Sequence, residues 1–74
     1  MSVKELRNHI ENLISDLEFS YKGIDGSICP INNNKIYLSY GDSSYEAESI
    51  ETAMKMRFID GQSLESIGEK LKFY

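Results

Sequence analysis

The chain has one cysteine, Cys29, and one histidine, His9, among 74 residues. An internal disulfide is impossible, and a zinc cluster needs more Cys and His ligands than these two supply. Pro30, the single proline, cannot donate to a strand ladder, so it marks a sheet edge or a strand end. No apolar run approaches the roughly 20 residues of a membrane-spanning helix, and no membrane association is expected. The opening "MSVKELRNHIENL" mixes charges throughout, unlike a signal peptide. A cytoplasmic location with Cys29 reduced is the expectation. Cations are few: Lys and Arg total 8 against 12 Asp and Glu, a formal net charge of −4. Such a surface repels nucleic-acid phosphates, whose attraction supplies most non-specific affinity, although a local basic patch remains compatible with it. A glycine-rich phosphate loop, a nucleophile elbow and an HExxH motif are all missing. The sequence therefore points to a non-enzymatic protein that needs no cofactor.

Seventy-four residues make one domain, 1–74. A domain of this size buries only about 60% of its unfolded surface. With no disulfide or metal to brace it, a homo-oligomer is the expectation.

Val3, Leu6, Ile10, Leu13, Ile14 and Leu17 recur at helical spacing and predict an amphipathic helix over 3–17. Ser2 and Glu5 stand at capping-box spacing. The period then switches to two. Phe19 and Tyr21 alternate with polar residues, "GIDG" at 23–26 reads as a turn, and "SICPI" is a second strand. "NNN" turns the chain into "KIYLSY", where Ile36, Leu38 and Tyr40 share one side and Lys35, Tyr37 and Ser39 the other. "GDSS" leads to a short fourth strand, "YEAE". Ser49 caps a second helix over 50–59, Gly61 fits the left-handed position that ends helices, and Ser63 caps a third over 64–72. The expected architecture is α+β: an N-terminal helix packed on a meander of three or four antiparallel strands, followed by a C-terminal helical hairpin.

"DGQSLESIGEKL" has the cadence of the helix that precedes the reader in a helix-turn-helix. A reader must enter the major groove and contact base edges. If residues 64–72 were the reader, they would present Glu65, Ser66, Glu69, Lys70 and Lys72, with no Arg, Asn or Gln. The simpler reading is a packing hairpin in which Gly68 admits a neighbouring element. DNA reading is not expected.

His9 as a general base lacks a Ser or Cys partner at a recognisable spacing, and Cys29, between Ile28 and Pro30, reads better as a small structural residue than as a nucleophile. Asp25 and Asp42 fall in glycine-containing turns without the ligand ladder of a calcium loop. The tyrosines carry more. Tyr21, Tyr37, Tyr40 and Tyr45 cluster in the strand region near Lys22 and Lys35. A tyrosine offers a stacking face plus a hydroxyl, although aromatics also favour strands for their own sake. Arg57 adds a possible phosphate or carboxylate fork. The candidate ligand-binding set is Tyr37, Tyr40, Lys35, Lys22 and Arg57.

At "YKGIDGSICPI" and "YLSYGDSSYEAESIETAMKMRFIDGQSLESI" the chain resembles small open reading frames of phages and prophages of low-GC Gram-positive bacteria. The shared features are an aromatic-x-Gly turn, a Pro-Ile strand end, a Tyr-Gly-Asp turn and an Asp-Gly-x-Ser-Leu helix start, over about residues 19 to 71. These are structural motifs, and no catalytic residue comes with them. The resemblance implies a viral accessory protein that inhibits host defence by binding. Two modes follow. In one, a small nucleotide immune signal is sequestered by the tyrosines and cations named above. In the other, a host defence protein is masked by an acidic surface to which Glu46, Glu48 and Glu51 contribute. A regulatory or structural interaction module unrelated to defence is the third alternative.

Overall fold

The computed structural model describes residues 2–12 and 15–74. Helix α1, Val3–Glu11, starts where the sequence places it. The Ser2 hydroxyl accepts from the Glu5 N–H at 3.1 Å, and the Glu5 carboxylate accepts from the Ser2 N–H at 3.1 Å. This reciprocal pair satisfies two main-chain donors at the helix start. Leu6 and Ile10 are its buried residues.

The helix ends earlier than its apolar spacing predicts. Asn12 caps it, its side-chain amide donating to the Asn8 carbonyl at 2.8 Å. Leu13 and Ile14, assigned to the helix above, lie outside the described residues. Leu17 is not helical. It opens strand β1, Leu17–Tyr21, facing Ile28 across the ladder. Leu17 satisfies a period of 3.6 and a period of two alike, and the pairing with Ile28 decides between them.

Strand β2 is Ile24–Asn32, β3 is Lys35–Tyr40 and β4 is Ser43–Ala47. The first turn is shorter than "GIDG". Lys22 and Gly23 alone make it, with φ of 53° and 77°. Two successive positive φ values suit the right-handed twist of a two-residue hairpin, so Ile24, Asp25 and Gly26 continue β2. Pro30 sits beside a register shift between Pro30 and Asn32, where a missing donor is tolerated.

Helix α2, Ile50–Lys55, is capped by Ser49, whose hydroxyl accepts from the Thr52 N–H at 3.0 Å. It stops at Lys55 rather than Ile59. Met56 is already extended, and Ile59 and Gln62 bond each other around Asp60 and Gly61, at φ of 52° and 77°. Asp-Gly thus makes a hairpin turn and is not a helix terminus. Helix α3, Leu64–Ile67, is a single turn capped by Ser63, continued by a 3₁₀ turn over Gly68–Lys70. The chain then extends into β5, Lys72–Phe73, which pairs with β1. The expected hairpin of two long helices is therefore replaced by two short helices and a fifth strand.

The sheet order is β4-β3-β2-β1-β5, antiparallel throughout. The three helices lie against one face and bury Phe19, Ile28, Ile36 and Leu38 with Leu6, Ile10, Met54, Leu64 and Ile67. Gly68 has the close neighbour expected of it: a Cβ there would come within 3.2 Å of Leu6 and 3.3 Å of Val3, both on α1. No helix among the described residues is long and apolar enough to cross a membrane.

Candidate functional site: the uncovered face of the sheet

Alternation sends every second strand residue away from the helices. On β1 these are Glu18 and Ser20, on β2 Asp25, Ser27 and Cys29, on β3 Lys35, Tyr37 and Ser39, and on β4 Ser44 and Glu46. The register lines them up across the strands. Glu18, Ser27, Ser39 and Ser44 form one row, and Cys29, Tyr37 and Glu46 another. The Tyr74 N–H donates to the Glu18 carbonyl at 3.0 Å, which extends the first row to the chain's last residue.

The floor of this face is made of hydroxyls. Ser27 and Ser39 share a hydrogen bond of 2.7 Å. The Tyr74 hydroxyl donates to the Asp25 carboxylate at 2.8 Å. Glu18, Asp25, Gly26, Ser27, Ser39 and Tyr74 line a shallow depression of about 270 Å³. Small serines keep the surface low, and carboxylates stand around it. A chain that exposes one sheet face to water needs polar residues there, and serine meets that need without filling space.

The structure separates the five residues proposed from sequence. Tyr37 and Lys35 lie together on the uncovered face, the Lys35 ammonium 5.8 Å from the ring centroid and the ring 41% exposed. Tyr40 belongs to the covered face. Its ring stacks on Phe19 at 6.4 Å, and its hydroxyl donates to the Tyr21 carbonyl at 2.7 Å. Burial pushes its phenol above the ordinary range, with the Asp60 carboxylate adding to the effect. Lys22 pairs with Asp60 at 3.0 Å and lies 5.6 Å from the Tyr21 ring centroid. Arg57 is exposed on the extended segment after α2, and no ion pair to it occurs among the described residues.

The three carboxylates proposed for a masking surface also divide. Glu46 is on the uncovered face, and Glu48 follows β4 in a bend. Glu51 is on α2, where Arg7 of α1 holds it at 2.8 Å and Lys55 at 3.6 Å. The hydrogen bond from Arg7 holds the Glu51 carboxyl below the usual range. Arg7, which no sequence pattern singles out, ties the two helices together. Residues missed on the uncovered face are Glu18, Asp25, Ser27, Ser39 and Tyr74. The alternation of "LEFSY" and "KIYLSY" puts Glu18 and Ser39 on the polar side, without marking either as a functional residue. Tyr74 depends on β5, which has no pattern of its own.

Cys29, which its apolar neighbours suggest is a structural core residue, is instead half-buried on the uncovered face. The Asp16 carboxylate pushes its thiol above the ordinary range, reinforced by burial. That disfavours the thiolate a nucleophile requires. The His9 Nε2 donates to the Ser15 carbonyl at 3.0 Å, tying α1 to the segment before β1. Among the described residues, no three His, Cys, Asp or Glu side chains are grouped to hold a metal ion. Comparison with family models, curated proteins and solved structures finds no match for this chain.

Proposed function

We propose that the chain is a non-enzymatic binding protein, an inhibitor of host defence of the phage type, that masks a cationic surface of a partner protein with the uncovered face of its sheet. The observation that carries this reading is the composition of that face. Glu18, Asp25 and Glu46 border a serine floor, outnumbering Lys35 and Lys72 as the charges of that face, and a tyrosine stands on each side of it, Tyr37 and Tyr74. Tyrosine supplies rigid contact area at low entropic cost, and a carboxylate rim selects a basic partner and speeds encounter. The triple variant Glu18→Lys, Asp25→Lys and Glu46→Lys reverses the rim without touching the buried face. If host-defence inhibition on co-expression, or capture of a basic partner, survives that variant in folded form, the reading is wrong.

A second reading, sequestration of a nucleotide signal, draws on the Lys35–Tyr37 pair. An exposed ring beside an ammonium can stack a base, a contact worth roughly 1–3 kcal/mol. Glu46 stands directly opposite Tyr37, and its charge opposes a phosphate there. Thermal shift against cyclic and linear nucleotides separates the two readings. A ligand that raises the melting temperature in wild type but not in Tyr37→Ala favours sequestration.

A further inference from the structure

The two margins of the sheet differ. On one side β5 is two residues long and carries Lys72, features that blunt an edge against pairing. On the other side β4 runs from Ser43 to Ala47 with no strand beyond it among the described residues, no proline and no bulge. Ser43, Ser44, Tyr45 and Glu46 are all exposed. A row of unpaired main-chain donors and acceptors in a regular strand is a template for another strand.

The hairpin dictates which groups are free. Tyr40 faces Ser43 across the two-residue Gly41-Asp42 turn. Such a turn closes on a hydrogen-bonded pair, and the pattern alternates from there. Ser43, Tyr45 and Ala47 therefore bond β3, while Ser44 and Glu46 direct their N–H and C=O outward.

We propose that β4 pairs antiparallel with β4 of a second copy about a two-fold axis at Tyr45, joining the two sheets into one. In this register the outward-facing residues meet in bonded pairs, Ser44 with Glu46 of the second copy and the reverse. Tyr45 meets Tyr45 at the closer, non-bonded position, where cross-strand aromatic pairs gain most. Ser43 meets Ala47. Sliding two residues one way sets Glu46 against Glu46; sliding the other way sets it against Asp42. Either slide also shortens the ladder from five facing residues to three and gives up the Tyr45 pairing, whereas the like-charge pairs of the centred register lie only beyond its ends. A one-residue slip mismatches outward groups with inward ones and puts the helices on opposite faces.

This self-complementarity selects a second copy of the chain over an unrelated strand. Tyr45 is 43% exposed and rests edge-on against Phe58 at 6.4 Å, so two meeting rings extend an apolar row across the seam. The seam uses the sheet's edge and stands apart from the binding role of its face. Just beyond the ladder, Asp42 of each copy faces Glu48 of the other. Those pairs weaken the dimer, and salt screens them.

Sedimentation of the whole chain from micromolar to millimolar concentration, with amide hydrogen exchange, tests the seam. Wild type should dimerise, more tightly as salt is raised, with Ser44 and Glu46 amides protected only when concentrated. Ser44→Pro removes an N–H that the monomer does not use, a change tolerated at a free edge. It should remain monomeric with the melting behaviour of dilute wild type. Glu48→Lys turns both end pairs attractive and should tighten association about tenfold at low salt. A chain that stays monomeric at millimolar concentration overturns the proposal. So does a dimer that survives Ser44→Pro, or one that Glu48→Lys leaves unchanged.

Discussion

Gly26→Ala adds one methyl group at the most crowded point of the sheet. Gly26 faces Phe19 on β1 and Tyr40 on β3. A Cβ there would sit 2.5 Å from the Ser39 carbonyl oxygen and 2.8 Å from the Cε2 of Phe19, with Cζ of the ring closer still. The backbone at Gly26 is not in the left-handed region, so the whole effect is steric. Nor can the Phe19 ring simply swing aside. It is fully buried and held by Tyr40, Phe58 and Phe73 at 6.4, 6.5 and 6.0 Å between centroids. Overpacking a core costs about 1–3 kcal/mol and occasionally more. Two simultaneous clashes, one with main chain, put this substitution near the top, at about 3 kcal/mol. A chain of this length has roughly 4–11 kcal/mol of stability in total. At about 4–8 °C per kcal/mol, the melting temperature should fall by roughly 12–24 °C. Urea and thermal unfolding followed by circular dichroism read both quantities. Phe19→Leu removes the clashing ring atoms, so its cost should be smaller in the Gly26→Ala background than alone. A Gly26→Ala protein within about 0.5 kcal/mol of wild type refutes the packing argument.

Ser2→Ala and Ser49→Ala each remove a side chain that accepts from a helix N–H, and each should cost about 1 kcal/mol in urea unfolding. Tyr40→Phe leaves the Tyr21 carbonyl without its half-buried donor. It should cost about 0.5–1.5 kcal/mol, with nucleotide and protein binding unaffected. Glu5 and Glu51 are held below the usual glutamate range, by the Ser2 main-chain N–H and by the Arg7 side chain respectively. Lowered folded-state values mean that the unfolded chain binds more protons in acid. The stabilisation is then complete above about pH 4.3 and declines as pH falls through the folded values. Arg7→Ala should flatten that acid limb in a pH series of melts; an unchanged slope would contradict the assigned cause.

What the sequence disclosed, and what it hid, follows from the range of the interactions. Ser2 with Glu5, Ser49 with Thr52 and Ser63 with Ser66 are contacts within a few residues, so the starts of all three helices were legible. The alternation of Ile36, Leu38 and Tyr40 likewise reports β3 directly. Helix ends were not legible, because pairing partners distant in sequence decide them. Leu17 answers to Ile28, and Phe73 to Phe19. Asp60-Gly61 reads as a terminus because a left-handed glycine serves helix ends and hairpins alike, and only the Ile59–Gln62 bridge distinguishes them. The candidate site suffered most. The alternation itself sets Tyr37 and Tyr40 on opposite sides of β3, and the structure keeps them there, so the two do not share one surface site. Neighbours in the sequence thus became strangers in space, while Glu18 and Tyr74 became partners.

The pairing of β5 with β1 gives assembly an order. Each of the first four strands meets its neighbour through a tight local turn, contacts that cost little chain entropy to close. Lys72 and Phe73 must instead return from the far end of the molecule and shut the largest loop for a ladder of two residues. That stitch is the last to tie and the first to slip. When it slips, Phe19 loses the ring that seals it, and the sheet gains a second free margin. Brief excursions of this kind are expected first at the C-terminal strand, where amide hydrogen exchange should be fastest of the five strands.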